Sequence, residues 1–151
     1  MPQQIYLVSD HAGFDLKKNI LEYLKSLESF GNSDSYIISD LTPTFLKNDD
    51  YPDKARVLAL AMEDDDEAIG IALCGSGVGI NIALNRYKHV RAILGDAIET
   101  VQLSRADNNT NVLCLGERVL EKEEACKLVK TFLETKFNSE ERHLRRIQKI
   151  S

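Results

Sequence analysis

Short apolar runs alternate along this chain with longer amphipathic stretches. The runs at 5–9, 36–40, 68–73, 90–94 and 111–115 are rich in Ile, Val and Leu, as strands covered on both faces should be. Between the first two, Leu16, Ile20, Leu24 and Leu27 recur at helical spacing, which assigns Lys17, Lys18, Glu22 and Lys25 to the opposite, polar face. A second stripe is Ala125, Leu128, Val129, Phe132 and Leu133, beside Glu124, Lys127, Lys130 and Glu134. Further helices are predicted near 52–63, 79–87 and 97–106. The alternation predicts an α/β fold, with β-α units wound around a parallel sheet of five strands.

The stretch 28–35 (ESFGNSDS) reads as a turn-rich connection, and 42–50, which contains Pro43, as an irregular loop. Neither is long enough to divide the chain, so residues 1–151 are read as one domain. The acidic run 63–67 reads as a solvated turn at a helix end.

Composition narrows the function. Hydrophobic residues at 43% and charged residues at 28% fit a chain that folds without a partner. Asp and Glu outnumber Lys and Arg by 24 to 19, an acidic balance with no general attraction for nucleic acid or an anionic membrane. The exception is Arg142, His143, Arg145, Arg146 and Lys149, a local basic cluster where a small anion could sit. Cys74, Cys114 and Cys126 form no C-x-x-C pair and are odd in number, which argues against a disulfide framework or a zinc site and for a reducing compartment. The start MPQQIYLVSD lacks a secretory pattern, and no run approaches the roughly 20 apolar residues of a membrane span. A soluble, cytoplasmic protein is expected.

Open parallel sheets bind ligands beyond the carboxyl ends of their strands. Asp10 and His11 follow the first strand, residues 74–79 the third and 116–118 the fifth. In Cys74-Gly75-Ser76-Gly77-Val78-Gly79, three glycines let the backbone turn sharply and gather its N–H groups into an anion cradle. The G-x-G-x-G spacing lacks the third glycine of the dinucleotide fingerprint, the later acidic residue and the P-loop Lys, which disfavours NAD binding and ATP hydrolysis. On these residues alone, a buried cysteine before an ordinary glycine turn fits as well as a catalytic thiol. Asp10-His11 likewise reads either as a capping Asp beside an exposed His or as part of a site. His89, before the fourth strand, reads as structural. The C-terminal E-R-H-L-R-R-I segment offers guanidinium forks suited to phosphate oxygens. Leu144, Ile147 and Ile150 recur at helical spacing, so this segment can dock, the alternative being a solvated basic tail.

Together these residues resemble the type B ribose 5-phosphate isomerase family, which includes the related galactose 6-phosphate isomerase subunits. The likeness runs over nearly the whole chain: Ser9-Asp10-His11-Ala12-Gly13-Phe14, Asp50-Tyr51-Pro52, Cys74-Gly75-Ser76-Gly77-Val78-Gly79-Ile80, Asn85, Arg91-Ala92, Asn108-Asn109-Thr110-Asn111-Val112, Gly116-x-Arg118-Val119 and Arg142-His143-x-x-Arg146. It implies a Rossmann-like α/β/α sandwich with a five-stranded parallel sheet, no metal and no nucleotide cofactor. It also implies a homodimer or dimer of dimers with active sites shared at the subunit interface, the segment 138–151 reaching the partner. By the same resemblance Cys74 carries a proton from C2 to C1 of a sugar phosphate while backbone N–H groups of Gly75, Gly77, Val78 and Gly79 hold the enediolate oxygens. Ser76 then helps move a proton between those oxygens. Asp50 and Tyr51 line the sugar site, Asp10 and Asn108 hold sugar oxygens, and His11, Arg118, Arg142, His143 and Arg146 bind the phosphate.

Two departures stand out. Where the ribose-isomerising enzymes carry the His credited with opening the furanose ring, this chain reads Ala106-Asp107-Asn108, and the Gly-Thr that follows the second strand is replaced by Thr42-Pro43. The leading expectation is therefore interconversion of ribose 5-phosphate and ribulose 5-phosphate, with Cys74, Ser76 and Asp107 as the catalytic set. The alternatives are isomerisation of another aldose phosphate, such as allose or galactose 6-phosphate, or sugar-phosphate binding without turnover.

Overall fold

A computed structural model describes residues 2–29 and 36–150, with the side chains of 28 and 29 left aside. Its strands are β1 (Gln3–Ser9), β2 (Tyr36–Asp40), β3 (Ile69–Cys74), β4 (Ala92–Leu94) and β5 (Val112–Gly116). They pair in parallel in the order β2-β1-β3-β5-β4. Six α-helices accompany them: α1 (Phe14–Ser29), α2 (Tyr51–Ala61), α3 (Val78–Leu84), α4 (Ile98–Asn108), α5 (Lys122–Glu134) and α6 (Glu141–Ile150). The predicted turn-rich connection lies outside the described residues from position 30 onward. The strand expected at 90–94 begins two residues late because Val90 N–H goes to Tyr87 O and Arg91 N–H to Asn111 Oδ1, so the ladder opens only at Ala92.

The two faces of the sheet differ in side-chain size. One presents Ile5, Leu7, Ile71, Leu73, Leu113 and Leu115 to Leu16, Ile20 and Leu24 of α1, Val101 of α4 and Leu128 and Phe132 of α5. Each such side chain, fully buried, contributes about 1.5–3 kcal/mol. The other face offers the smaller Ala72, Cys74 and Cys114 to Ala55 and Leu58 of α2 and Ile80 and Leu84 of α3. Here α2 sits so close that a Cβ on Gly70 would meet Leu58 at 2.9 Å. The result is the expected α/β/α sandwich, with Cys74 at the end of β3 and facing the α2–α3 layer.

Lys17 corrects the sequence expectation. It is fully buried, not on a solvated face. Its Nζ donates to Asp40 Oδ1 at 2.8 Å, to Thr42 Oγ1 at 3.1 Å and to the Thr42 carbonyl. Thr42 Oγ1 in turn accepts the Ser9 N–H at 2.9 Å. Helical periodicity places the Cβ, but the long stem carries the ammonium past the apolar stripe to the ends of β1 and β2. Burial pulls the ammonium's pKa below its usual value against the opposing pull of Asp40.

The linker after α5 returns to the body of the molecule, the Asn138 N–H donating to Ala106 O at 2.8 Å, and α6 then lies along α4.

Removing the ammonium should expose how much the end of the sheet depends on it. Lys17→Met leaves Asp40 and Thr42 without their donor and is expected to lower stability by about 3 kcal/mol, the scale of breaking a largely buried pair. Urea unfolding at unchanged m-value measures this, and a loss below about 0.5 kcal/mol would mean the tie is inconsequential.

Candidate active site

The crevice at the carboxyl ends of β1, β3 and β5 is built by three loops that bond to one another through their backbones. Asp10 N–H donates to Leu73 O at 3.2 Å, Glu117 N–H to Cys74 O at 3.1 Å and Arg118 N–H to Gly75 O at 2.9 Å. Gly116 passes so close to the next loop that a Cβ there would lie 2.4 Å from the Ser76 carbonyl carbon. Gly77 has φ 80°, a left-handed conformation that turns the chain into α3.

The Cys74 thiol lies at the floor of this loop, 4% exposed, and its Sγ accepts the Gly77 N–H at 3.1 Å. Ser76 is exposed above it, its Oγ accepting the Val78 N–H at 3.2 Å. Two side chains close the walls. The Arg118 guanidinium lies over Gly75, where a Cβ would come within 2.9 Å of its Cζ, and the Tyr51 ring lies over Gly79, with the equivalent approach 2.6 Å. Asp50 precedes α2 as its N-cap without a side-chain capping bond. Cys114, on the same face of the sheet, is different in kind: complete burial pushes its thiol pKa up to about 12, so it is inert.

Asp10 is a cap in fact. Its Oδ1 accepts the Ala12 and Gly13 N–H groups at 3.0 and 3.1 Å. Burial raises its pKa, and those two bonds oppose the rise. His11 is partly exposed and leans on a residue that sequence reasoning missed, Asp49. Asp49 Oδ1 accepts the His11 backbone N–H at 2.6 Å and lies 2.9 Å from His11 Nδ1, while Oδ2 lies 3.3 Å from Lys54 Nζ. Asp10, His11 and Asp49 bring ligand atoms within 4.8 Å of one another. Of these, Asp10 Oδ1 and Asp49 Oδ1 already accept N–H groups and Asp49 Oδ2 faces a lysine. Glu117, also missed, accepts the Leu16 N–H at 2.6 Å and ties the start of α1 to the loop after β5.

The remaining predicted residues lie elsewhere. Asp107 and Asn108 end α4, which runs from the carboxyl edge of the sheet back to its amino edge, ahead of β5. Asn108 lines a cavity of about 480 Å³ there with Asn85, Arg86, Arg91 and Ile150. On α6, Arg142 Nε is 2.9 Å from Glu140 and Arg145 is 2.8 Å from Glu141, both exposed pairs, and Arg146 is exposed. His143 is 6% exposed; its Nε2 has no hydrogen-bond partner among the described residues and stands 3.7 Å from Asp107 Oδ1. One chain therefore holds the thiol, the cradle, His11 and Arg118 at one edge, and Asp107, Asn108 and the α6 cluster at the other.

A model of the Ribose/Galactose Isomerase family matches residues 5–150. The chain belongs to that family. Ribose-5-phosphate isomerase B of Mycolicibacterium paratuberculosis is 35% identical, over 95% of this chain and 87% of that protein. The crystal structure of ribose-5-phosphate isomerase B from Mycoplasma genitalium with bound ribulose-5-phosphate superposes with a TM-score of 0.88 at 41% identity, covering 99% of this chain and 95% of that one. The enzyme from Trypanosoma brucei superposes at 0.90 with 32% identity, covering 99% and 97%. Against this ribose/galactose isomerase framework, the two glycines that face the loop can be separated by what each packs against.

In Gly116→Ala the added methyl meets the immovable Ser76 backbone, so stability should fall by roughly 1–3 kcal/mol or more. In Gly79→Ala the three nearest atoms to the added methyl belong to the Tyr51 ring, which can swing outward, so stability should hold. Thermal melting of both variants checks the contrast; a Gly116→Ala protein as stable as wild type would refute the close fit.

Proposed function

We propose that this chain interconverts ribose 5-phosphate and ribulose 5-phosphate in the cytoplasm, as one domain per subunit in a homodimer or dimer of dimers with shared active sites. The single observation that carries the chemistry is the Cys74 thiol, 4% exposed at the floor of the glycine loop, with its Sγ accepting the Gly77 N–H at 3.1 Å. Cys74, acting as its thiolate, takes the C2 proton of the open aldose and becomes the thiol, the electron pair moves toward the C1 carbonyl, and the enediolate oxygens face the loop of Gly75, Gly77, Val78 and Gly79. Ser76 passes the proton between the two oxygens, and Cys74 returns its proton to C1. Asp10, Asp50 and Tyr51 enclose the sugar, and His11 and Arg118 reach its phosphate. Three free cysteines, Cys74, Cys114 and Cys126, support a reducing compartment, and no helix among the described residues is long and apolar enough to cross a membrane.

Topology supports sharing. The six residues of β3 extend about 20 Å, too far for a five-carbon phosphate to touch both edges of one sheet. A second copy that presents its own α4 end and segment 138–151 supplies Asp107, Asn108, Arg142, His143 and Arg146. Val78 and Ile82 of α3 and Ile98 and Leu103 of α4 are exposed apolar residues, and a second copy of the chain would cover them. One observation favours a second reading: Asp107 replaces the ring-opening His, which suits an aldose phosphate other than ribose 5-phosphate.

A coupled assay with ribose 5-phosphate tests the activity. Cys74→Ala should lower turnover by roughly 10²–10⁴-fold, the usual contribution of a positioned base, while ribose 5-phosphate still raises the melting temperature. Mixed with Arg146→Ala, it should recover activity in heterodimers, because one of the two sites then receives both an intact thiol and an intact arginine. Activity of Cys74→Ala within a few-fold of wild type removes the thiol from the mechanism, and failure to complement removes the shared site.

Asp107 gives a separate test. A carboxylate serves as a base at the anomeric hydroxyl, whereas a His can also donate to the ring oxygen. Asp107→His should therefore raise turnover of cyclic ribose 5-phosphate more than that of an open-chain aldose phosphate. Equal losses on both substrates would overturn a ring-opening role.

A further inference from the structure

Asp49 has no task in the proposed mechanism, yet it holds three donors beside the turn that carries His11. It sits in the irregular loop before α2, its side chain 11% exposed. One oxygen accepts both the backbone N–H and the ring Nδ1 of His11, and the other meets Lys54. Two bonds from one residue to a single oxygen fix the His11 backbone and its ring together. They also leave Nε2, on the far side of the imidazole, as the only ring nitrogen available to a ligand.

We propose that Asp49 is a positioning residue that holds His11 through Nδ1, so that Nε2–H is presented to the phosphate of the sugar substrate. The inference rests on the reading of His11 as a phosphate ligand. The electrostatics agree with the geometry. The bond to Asp49 raises the His11 pKa above its usual value, partial burial opposes the rise, and the neighbouring Asp10 carboxylate adds to it. Asp49 itself is held below the usual carboxylate range: burial works against this, and the bonds from His11 and Lys54 outweigh it. The charged groups facing His11 are thus Asp10 from its own turn and Asp49 from the facing loop, with Lys54 of α2 balancing Asp49. Lys54 favours the ionised form of Asp49, and Asp49 favours the cationic form of His11, a chain of orientation that ends on the substrate's phosphate.

The sign of the pH dependence follows. A raised pKa means that His11 stays cationic to higher pH than a free imidazole, and phosphate binding weakens only as pH rises through that higher value. Asp49→Asn keeps an acceptor for the backbone N–H and removes the charge, so the His11 pKa should fall back toward its ordinary value. KM for ribose 5-phosphate should then be on the order of tenfold higher than wild type at about pH 8, the scale of one charge-assisted hydrogen bond, and close to wild type at about pH 5.5, with kcat changing much less than KM. The substrate phosphate's own titration near pH 6 is common to both proteins and cancels in the ratio. NMR titration gives a readout independent of activity. The chain has three histidines, and His11→Asn identifies the His11 resonance. A His11 pKa that is unchanged in Asp49→Asn, or a KM ratio that does not vary with pH, overturns the proposal. His11→Asn separates the levels: an unchanged KM there defeats His11 as a phosphate ligand altogether, whereas a raised KM beside an inert Asp49→Asn defeats only the role of Asp49.

Discussion

The backbone of Gly116 lies against the backbone of Ser76 with no room for even a methyl group between them, and the geometry of the carboxyl edge depends on that contact. Because β3 and β5 are neighbours, the loops leaving them run side by side and exchange the bonds Glu117 N–H to Cys74 O and Arg118 N–H to Gly75 O. The main chain of the adjacent strand thus shapes the loop above the thiol, beside the bonds that Cys74 Sγ and Ser76 Oγ accept within it. Arg118 arrives over Gly75 by the same alignment. Glu117, bonded to the start of α1, extends the fixed frame to the turn that carries Asp10 and His11. Donors held this way need little reorganisation when charge develops on a bound sugar oxygen.

Much of this frame was legible in the sequence, and the exceptions share a cause. Strands buried on both faces and a strongly amphipathic α5 announce themselves by period, and glycines clustered after an apolar run announce a turn that side chains would block. Lys17 did not fit, because periodicity reports where a Cβ points and a lysine's charge lies four bonds further on. Asp49 was invisible because its loop has no period, and its contact with His11 spans 38 residues of sequence. The late start of β4 was equally hidden: only the side chain of Asn111, claiming the Arg91 N–H, decides it. Local pattern carries the layers, while long-range polar contacts carry the fine positioning of the site.

Sequence reading placed candidate residues after strands, and that rule holds for Asp10, His11 and the loops at 74–79 and 116–118. It fails for Asp107 and Asn108, which come before a strand, at the end of a helix that has already crossed the sheet. In a parallel β-α fold these two positions are necessarily at opposite edges, since each helix returns the chain to where the next strand begins. Residues matched to one site by family likeness are thus divided by topology into two sets.

The amino-edge set is itself organised. Asn138 bonds to Ala106, and His143 packs beside Asp107, so α6 is fastened to the end of α4 within its own chain. In the proposed shared site, Asp107, Asn108 and the arginines would then enter a partner's crevice as one unit and not as a loose tail. Of that unit's two phosphate arginines, Arg142 is paired with the exposed Glu140, and Arg146 is itself exposed. Such pairs are worth little in water, so a phosphate can replace them at small cost. The carboxyl edge contributes the opposite character: a His11 held by a partly buried Asp49. In the proposed site a phosphate placed between the two edges would meet one imidazole fixed in advance and arginines free to close on it, a fixed reference for the sugar's reacting carbons that still lets substrate enter and product leave.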